Sequence, residues 1–390
     1  MVLFAAVLLE ICLGSVYGWS VFIKPTAELG IKWADYSLPV ALGFLGIGAV
    51  IGGAWNDRKG PRVVTTFAGI LYGSGFLVAA WAVAHVDSYI RLVGFGPLCG
   101  LAMGIGYVCP IATVTKWYPD KRGLMSGLVV MGFGLGSQMS LLARPMIPAY
   151  GVPTTLVIFG VAYTIIILLC SAFMVVPPEG WKPAGWVPSG SVAKHAAKRS
   201  FDVKGAASTP GFWLLWAMLF LNTCAGLPLI NSASPTFQAK GLTATEAGYM
   251  VALIGVFNAG GRTLCSWGSQ LIGRAQVLMI IFGVQVCLFF IVPHVESVTA
   301  FALIVIVIAT CYGGGFGVIP PFTADLFGPK NQAAIYGWIL AGWGSAAVAS
   351  KFLSLPYQQV GFVMLFAMIL PFLAIKEVNR MAALSDRKAA

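Results

Sequence analysis

Residues 53–62 read GAWNDRKGPR, with one acid and three bases, and an apolar run leads into this stretch and another leads out of it. The first is SLPVALGFLGIGAVIGGAW at Ser37–Trp55; the second is VVTTFAGILYGSGFLVAAWAV at Val63–Val83. Each is close to the roughly 20 residues that an α-helix needs to cross a hydrocarbon core of about 30 Å. Gly60-Pro61 punctuates the segment between them. The stretch therefore reads as two membrane-spanning helices joined by a tight charged turn on one side of a bilayer.

The same pattern recurs outward from this pair. Twelve apolar runs are expected to span: Val2–Ile23, Ser37–Trp55, Val63–Val83, Ile90–Thr115, Leu124–Ile147, Thr155–Val175, Phe212–Ser232, Ala247–Gly268, Gln276–Val292, Val298–Pro320, Ala333–Leu355 and Val360–Lys376. The ninth and twelfth are the shortest. Composition agrees, since 58% of the 390 residues are hydrophobic and 9% are charged, against about 25% charged in a soluble protein. That balance excludes a soluble enzyme, a disordered chain and a nucleic-acid-binding domain. The net charge of +11 is explained by its placement. With the N-terminus in the cytoplasm, seventeen Lys and Arg fall on the cytoplasmic side and six on the outer side. This bias predicts both termini inside, in the plasma (cell inner) membrane. The N-terminal run lacks a basic leader and a small-residue cleavage site, so it reads as the first span and not as a signal peptide.

Residues 176–208, rich in Pro, Gly, Ser, Ala and Lys, fall between the sixth and seventh spans. They predict an N-terminal six-helix bundle over 1–175, a flexible cytoplasmic linker over 176–208 and a C-terminal bundle with a short tail over 209–390. The halves also echo each other. Leu9, Cys12 and Gly14 match Leu221, Cys224 and Gly226, and Gly104, Pro110, Thr113, Pro119 and Gly127 match Gly314, Pro320, Thr323, Pro329 and Gly337. The fold class is therefore an all-α membrane protein of twelve transmembrane helices in two six-helix pseudo-repeats. Such repeats place a substrate site near the bilayer midplane, where the halves meet.

Eight cysteines lie in apolar runs and none forms a C-x-x-C pair, so neither a disulfide framework nor a zinc site is expected. No H-E-x-x-H, Walker A or G-x-S-x-G motif occurs, which argues against an enzyme and against a metal or cofactor. Glycine strings such as Gly132–Gly136 and Gly313–Gly315 stand in apolar spans, where they favour close helix contact over nucleotide binding.

The loop Gly53, Asp57, Arg58, Gly60 and Arg62 resembles the signature loop of the major facilitator superfamily, a conformational latch at the cytoplasmic face. Its counterpart at Trp267–Arg274 lacks the acid, so a weaker latch is expected there. Further segments resemble the oxalate/formate antiporter family and, more distantly, the monocarboxylate transporters. They are Cys12–Trp19, Gly104–Pro110 with Lys116–Gly123, Thr209–Trp213, Asn258–Arg262 and Asp325–Lys330. The resemblance implies a twelve-helix facilitator working by alternating access, with the span-eight arginine on the substrate carboxylate.

Glu10 and Arg262 are the two charges deep in expected spans. A guanidinium in hydrocarbon costs at least about 2.5–3.5 kcal/mol, so it persists where it lines a polar cavity. Its planar fork can bond both oxygens of a carboxylate. The competing reading is an arginine held by Glu10 or by helix-end carbonyls. Asn258, one turn earlier on the same face, stands where the monocarboxylate transporters carry an Asp. Trp343 stands where the oxalate carriers carry a Lys. One cation matches one carboxylate, so a monocarboxylate of the formate, lactate, pyruvate or glycolate class is expected over oxalate. Tyr17, Tyr107 and Tyr312 resemble the family's cavity aromatics, and Phe133, Phe316, Trp338 and Trp343 are further candidates for its apolar lining. Glu10 can carry a coupling proton, pair with Arg262 in the empty state, or bond a neighbouring helix while protonated. The expected function is exchange of small organic anions by a carrier whose functional unit is a monomer in the lipid bilayer, with no nucleic-acid partner. The alternatives are a proton-coupled monocarboxylate symporter and a transporter-like anion receptor.

Overall fold

The computed structural model describes residues 1–32, 36–178, 180–183, 185, 201–352 and 355–387. Every regular element among them is helical. In chain order these are α1 (Val2–Leu13), α2 (Ser20–Glu28), α3 (Ser37–Lys59), α4 (Pro61–Ala84), α5 (Ser88–Val93), α6 (Gly100–Trp117), α7 (Arg122–Leu135) and α8 (Met139–Ser171). Then follow α9 (Val203–Ala207), α10 (Pro210–Ala239), α11 (Ala244–Ile272), α12 (Arg274–Ile291), α13 (Val298–Phe327), α14 (Gln332–Phe352), α15 (Tyr357–Ala367) and α16 (Ile369–Arg387).

Among the described residues, nine helical segments are long and apolar enough to cross a membrane. The pair Val2–Gly18 and Ser20–Glu28, bent by 45°, makes a tenth. The difference from twelve has two physical sources. The 50-residue segment Arg122–Ser171 is counted as one, yet Gly151 (φ 78°, ψ 163°) breaks it between the fifth and sixth expected spans. The helix α11 is not among the nine; it carries Arg262 and the polar Asn258, Ser266, Ser269 and Gln270. Taking Gly151 as a turn and α11 as a span gives twelve crossings. The first span is also less regular than expected: α1 passes into a 3-10 segment at Gly14–Gly18 before the bend.

Glycines set the helix contacts. A Cβ at Gly52 would strike the Ile105 backbone, and one at Gly104 the backbone of Leu45 and Ala49, which welds α3 to α6. In the second half, Gly313 and Gly317 sit on the carbonyls of Asn258 and Arg262, which welds α11 to α13 in the same way. Two further contacts join the halves. α3 lies along α14 from Gly46 on Ala341 and Gly344 to Gly53 on Ala333 and Ala334. α7 lies along α11 from Gly123 on Ser266 to Gly134 on Ala259. Small residues permit such approach because nothing but the backbone stands between the helices.

The charged turn closes one end of the α3–α14 seam. Gly60 (φ 84°) ends α3 and Pro61 opens α4. The Asp57 carboxylate accepts the Ala334 N–H at 2.9 Å, in the first turn of α14, where helix N–H groups lack partners. Lys116 Nζ stands 4.0 Å from the same carboxylate. Arg62 donates to the Ala172 carbonyl, and Arg58 is exposed. Beside them, the Thr115 hydroxyl donates to Gln332 at 2.7 Å.

The second seam is latched despite the missing acid in its loop. Arg274 Nε donates to Asp325 at 2.9 Å and Arg122 Nη1 stands 3.6 Å from the same carboxylate. The loop lacks an acid, as the sequence reads, and Asp325 at the end of α13 supplies one. Ser266 Oγ donates to the Gly123 carbonyl at 2.7 Å and Gln270 accepts the Leu124 N–H at 2.7 Å.

Residues 179, 184 and 186–200 of the expected linker lie outside the described residues. Its C-terminal end is docked, not free. Phe201 N–H donates to the Phe327 carbonyl at 3.1 Å, Asn331 Nδ2 donates to the Phe201 carbonyl at 2.6 Å, and the Phe201 and Phe327 rings meet edge to face at 5.8 Å.

Asp325→Asn leaves two largely buried guanidinium groups facing each other, a loss on the order of 3–5 kcal/mol. The variant is expected to melt at lower temperature and to expose a cysteine placed at Ala333 to alkylation. Parent-like melting and protection would show that Asp325 does not hold this end shut.

Candidate functional site

Arg262 is fixed from two sides. α13 meets it through Gly313 and Gly317, and α7 meets it through Gly127 and Gly134; a Cβ at Gly134 would come within 3.3 Å of Arg262 Nε. Its side chain is fully buried. Nε donates to Asn258 Oδ1 at 3.2 Å and Nη1 to the Val130 carbonyl at 3.4 Å. Nη2 has no hydrogen-bond partner among the described residues. The guanidinium carbon stands 5.0 Å from the Phe316 ring centre and 5.9 Å from that of Phe133, within cation–π range.

An aromatic cage surrounds this cation. Phe316 meets Trp343 at 4.9 Å and Tyr312 at 5.1 Å. Phe133 meets Tyr107 at 5.0 Å, Tyr17 at 5.6 Å and Trp343 at 5.7 Å, all near edge to face. Tyr17, Tyr107 and Tyr312 lie close enough to interact electrostatically with Arg262. The polar tips of the cage meet one another and the guanidinium: Tyr17 meets Arg262 and Tyr312, Tyr107 meets Tyr336, and Tyr312 meets Trp343. Buried donors normally find partners. Several of them around one cation, with no carboxylate bonded to it, can hold the oxygens of an anion.

The structure thus gathers Arg262, Asn258, Tyr17, Tyr107, Tyr312, Phe133, Phe316 and Trp343. Trp338 stands apart from these buried residues, with 47% of it exposed. The loop residues Gly53, Asp57, Arg58, Gly60 and Arg62 form the latch already described. Glu10 is fully buried beside the site.

Tyr336 was not among the expected site residues, yet its ring lies 6.4 Å from that of Tyr107. The signal was available, since Tyr336 precedes Trp343 by two helical turns and shares its face. Asn222, the repeat counterpart of Glu10, donates to the Tyr312 carbonyl at 2.9 Å and accepts from Gln285 at 3.0 Å, fixing the Tyr312 backbone. Arg91 is a second buried guanidinium, donating to Ser37 at 2.8 Å and lying over Trp19 at 5.5 Å. Its position near the end of an apolar run reads in sequence as a loop charge. A cavity of about 580 Å³ beside α10, lined by Cys224, Pro228, Ser232, Tyr357 and Gln358, includes none of the central residues.

Residues 2–350 match the Major Facilitator Superfamily. The chain belongs to that superfamily. This facilitator is therefore a multi-pass membrane transporter and not an enzyme. It is similar to the oxalate:formate antiporter of Oxalobacter formigenes, 28% identical over 357 residues that cover 89% of this chain and 81% of the relative. Apicoplast pyruvate carrier 1 of Toxoplasma gondii is 23% identical over 90% of this chain and 82% of that protein. Among solved structures, the proton:xylose symporter XylE superposes with a TM-score of 0.73 at 13% identity, over 96% of this chain and 93% of that one; this likeness concerns the fold.

Asn258→Asp would set a carboxylate against the Arg262 guanidinium and occupy its charge. Carboxylate binding to the purified facilitator, followed by titration calorimetry, should weaken about tenfold or more, which is at least ~1.4 kcal/mol. Unchanged affinity would show that a carboxylate at this position does not occupy the charge of Arg262.

Proposed function

We propose that this facilitator carries small organic anions, and specifically monocarboxylates of the formate, lactate, pyruvate or glycolate class, by alternating access. The observation that carries this reading is Arg262: a buried guanidinium between the halves with no bonded carboxylate among the described residues. A cargo carboxylate supplies the missing counter-charge, with the planar fork as its seat. The Tyr17, Tyr107 and Tyr312 hydroxyls and the Trp343 Nε1 take the remaining lone pairs, and Phe133 and Phe316 exclude water.

One cation with no second cation in the cage favours one negative charge, because a second carboxylate would stay uncompensated in an apolar interior. Trp343 occupies the position where the resemblance to oxalate carriers implies a lysine. The names of two relatives, an oxalate:formate antiporter and a pyruvate carrier, support small carboxylates as the class of cargo. The first also supports exchange of one anion for another.

On this reading the bundles over 1–175 and 209–390, joined by 176–208, rock about the seams at α3–α14 and α7–α11. The 53–62 loop faces the cytoplasm of the plasma membrane, both termini lie inside, and a single chain is the working unit.

Uptake of labelled formate and pyruvate into proteoliposomes, competed by a panel of mono- and dicarboxylates, tests the cargo. Arg262→Lys keeps the charge and loses the fork, and is expected to cut uptake at least about tenfold. Trp343→Lys adds a second cation and is expected to make oxalate an effective competitor. Near-parental uptake by Arg262→Lys, or parental preference for dicarboxylates, contradicts the proposal.

A further inference from the structure

The cavity of about 580 Å³ beside α10 lies within the C-terminal half and shares no residue with the cage. One face of α10 lines it, with Cys224, Ala225, Pro228 and Ser232. The other walls are Pro293 just past α12, Ser350 near the end of α14, and Tyr357 and Gln358 at the start of α15. α12 begins at Arg274 in the second latch, so the cavity sits at the opposite end of this half. Pro293, Pro356 and Gln358 are exposed and mark its mouth.

The first half shows what such a place holds when the chain fills it. The internal repeat pairs Cys12, Leu13 and Val16 with Cys224, Ala225 and Pro228. Cys12, Leu13 and Val16 are all buried, and aromatic rings pack around them. Tyr72 and Tyr163 lie close enough to Cys12 to interact electrostatically. Phe76 meets Tyr72 at 5.2 Å and Trp19 at 6.0 Å. The repeat counterpart of Trp19 is Asn231, which is exposed. Beside the matching face of α10 there is a cavity instead of a ring cluster.

The chemistry of the walls defines an occupant. No charged residue lines the cavity among the described residues, so a carboxylate would stay uncompensated there. Ser232 gives its hydroxyl hydrogen to the Leu229 carbonyl at 3.1 Å, and Ser350 gives its own to the Ala347 carbonyl at 2.9 Å. Both oxygens are left as acceptors. Pro228 stands inside α10 and has no N–H, so the Cys224 carbonyl one turn earlier loses its helical donor. Acceptors set in an apolar wall suit a molecule that donates one hydrogen bond and is otherwise apolar. The volume falls in the range of roughly 300–1,000 Å³ that small-molecule sites occupy.

We propose that this cavity binds an uncharged phenol, and that a phenol bound there restrains α10. The ring takes the place that the aromatic cluster fills in the first half, and the O–H meets the acceptors of α10 and α14. One turn of α10 serves both the cavity and the cage. Cys224 and Ala225 wall the cavity. Asn222 donates to the Tyr312 carbonyl at 2.9 Å, and a Cβ at Gly226 would come within 2.6 Å of the Tyr312 ring. An occupied cavity holds that turn against Tyr312 and slows rocking without touching Arg262. Binding of the phenol is independent of the carboxylate reading; its effect on uptake rests on that reading.

The test is photolabelling of the purified carrier in lipid nanodiscs with a diazirine-bearing alkylphenol, mapped by mass spectrometry. Label is expected in the segments Cys224–Ser232 and Leu355–Val360, and excess butylphenol is expected to displace it. Ser232→Trp and Gln358→Trp, which set a large ring in the cavity and at its mouth, are each expected to lose the label. In proteoliposomes, butylphenol is expected to lower maximal formate uptake and to leave the half-saturation concentration unchanged. Label confined to other segments, or label that excess butylphenol does not displace, overturns the inference on the parent protein alone; a cavity already filled by lipid tails gives that result. Undiminished label in both tryptophan variants overturns it too. A raised half-saturation concentration with an unchanged maximum puts the phenol in the cage and contradicts the proposal, and unchanged uptake contradicts the restraint on α10. Absence of formate uptake by the parent removes the carboxylate reading and leaves the labelling to decide the cavity.

Discussion

A guanidinium whose charge is unanswered in an apolar interior is the constraint on which the rest of the structure depends. Asn258 and the Val130 carbonyl take two of its donor groups, and the faces of Phe133 and Phe316 offer cation–π attraction. Such contacts contribute roughly 0.5–2 kcal/mol each, too little to replace hydration of a full charge. The surrounding polar tips are a ring of phenols and one indole, each with a hydrogen to donate. The phenol oxygens can accept from the guanidinium, yet neither phenol nor indole carries a negative charge to answer it, so the centre keeps its preference for an anion.

The centre can change its access because helix packing around it is made of backbone, not of interlocked side chains. The α3–α14 and α7–α11 seams are lined by glycine over several turns. At one end both seams are fastened by carboxylates, Asp57 on the Ala334 N–H and Asp325 on Arg122 and Arg274. Smooth seams with polar fasteners suit a two-state rocking element, since the fasteners can release to water while the seam keeps its geometry. Neither fastener touches Arg262, so latch and cargo seat are separate parts linked through rigid helices.

Much of this was legible in the amino-acid sequence. Apolar runs of bilayer length, the charged turn at 53–62 and the placement of Lys and Arg required a helical membrane protein in two halves, because lipid leaves the backbone few alternatives. Arg262 stood out because intramembrane charge is costly. What periodicity could not supply was the pairing of distant helices. Asp325 as the shared acid of the second latch depends on three segments far apart in the chain. The bend after Gly18 and the break at Gly151 lie within runs whose hydropathy barely changes. Trp338 and Trp343 sit on one helix five residues apart, and the packing of α14 on α3 turns one outward and the other into the cage.

The most direct measurement of the central claim is an experimental structure of the carrier with a monocarboxylate bound. The account predicts the cargo carboxylate within hydrogen-bond distance of Arg262 Nη2, enclosed by Tyr17, Tyr107, Tyr312 and Trp343, with Glu10 not bonded to the guanidinium. A cargo seated elsewhere, or Arg262 locked onto Glu10 while cargo is bound, would contradict it.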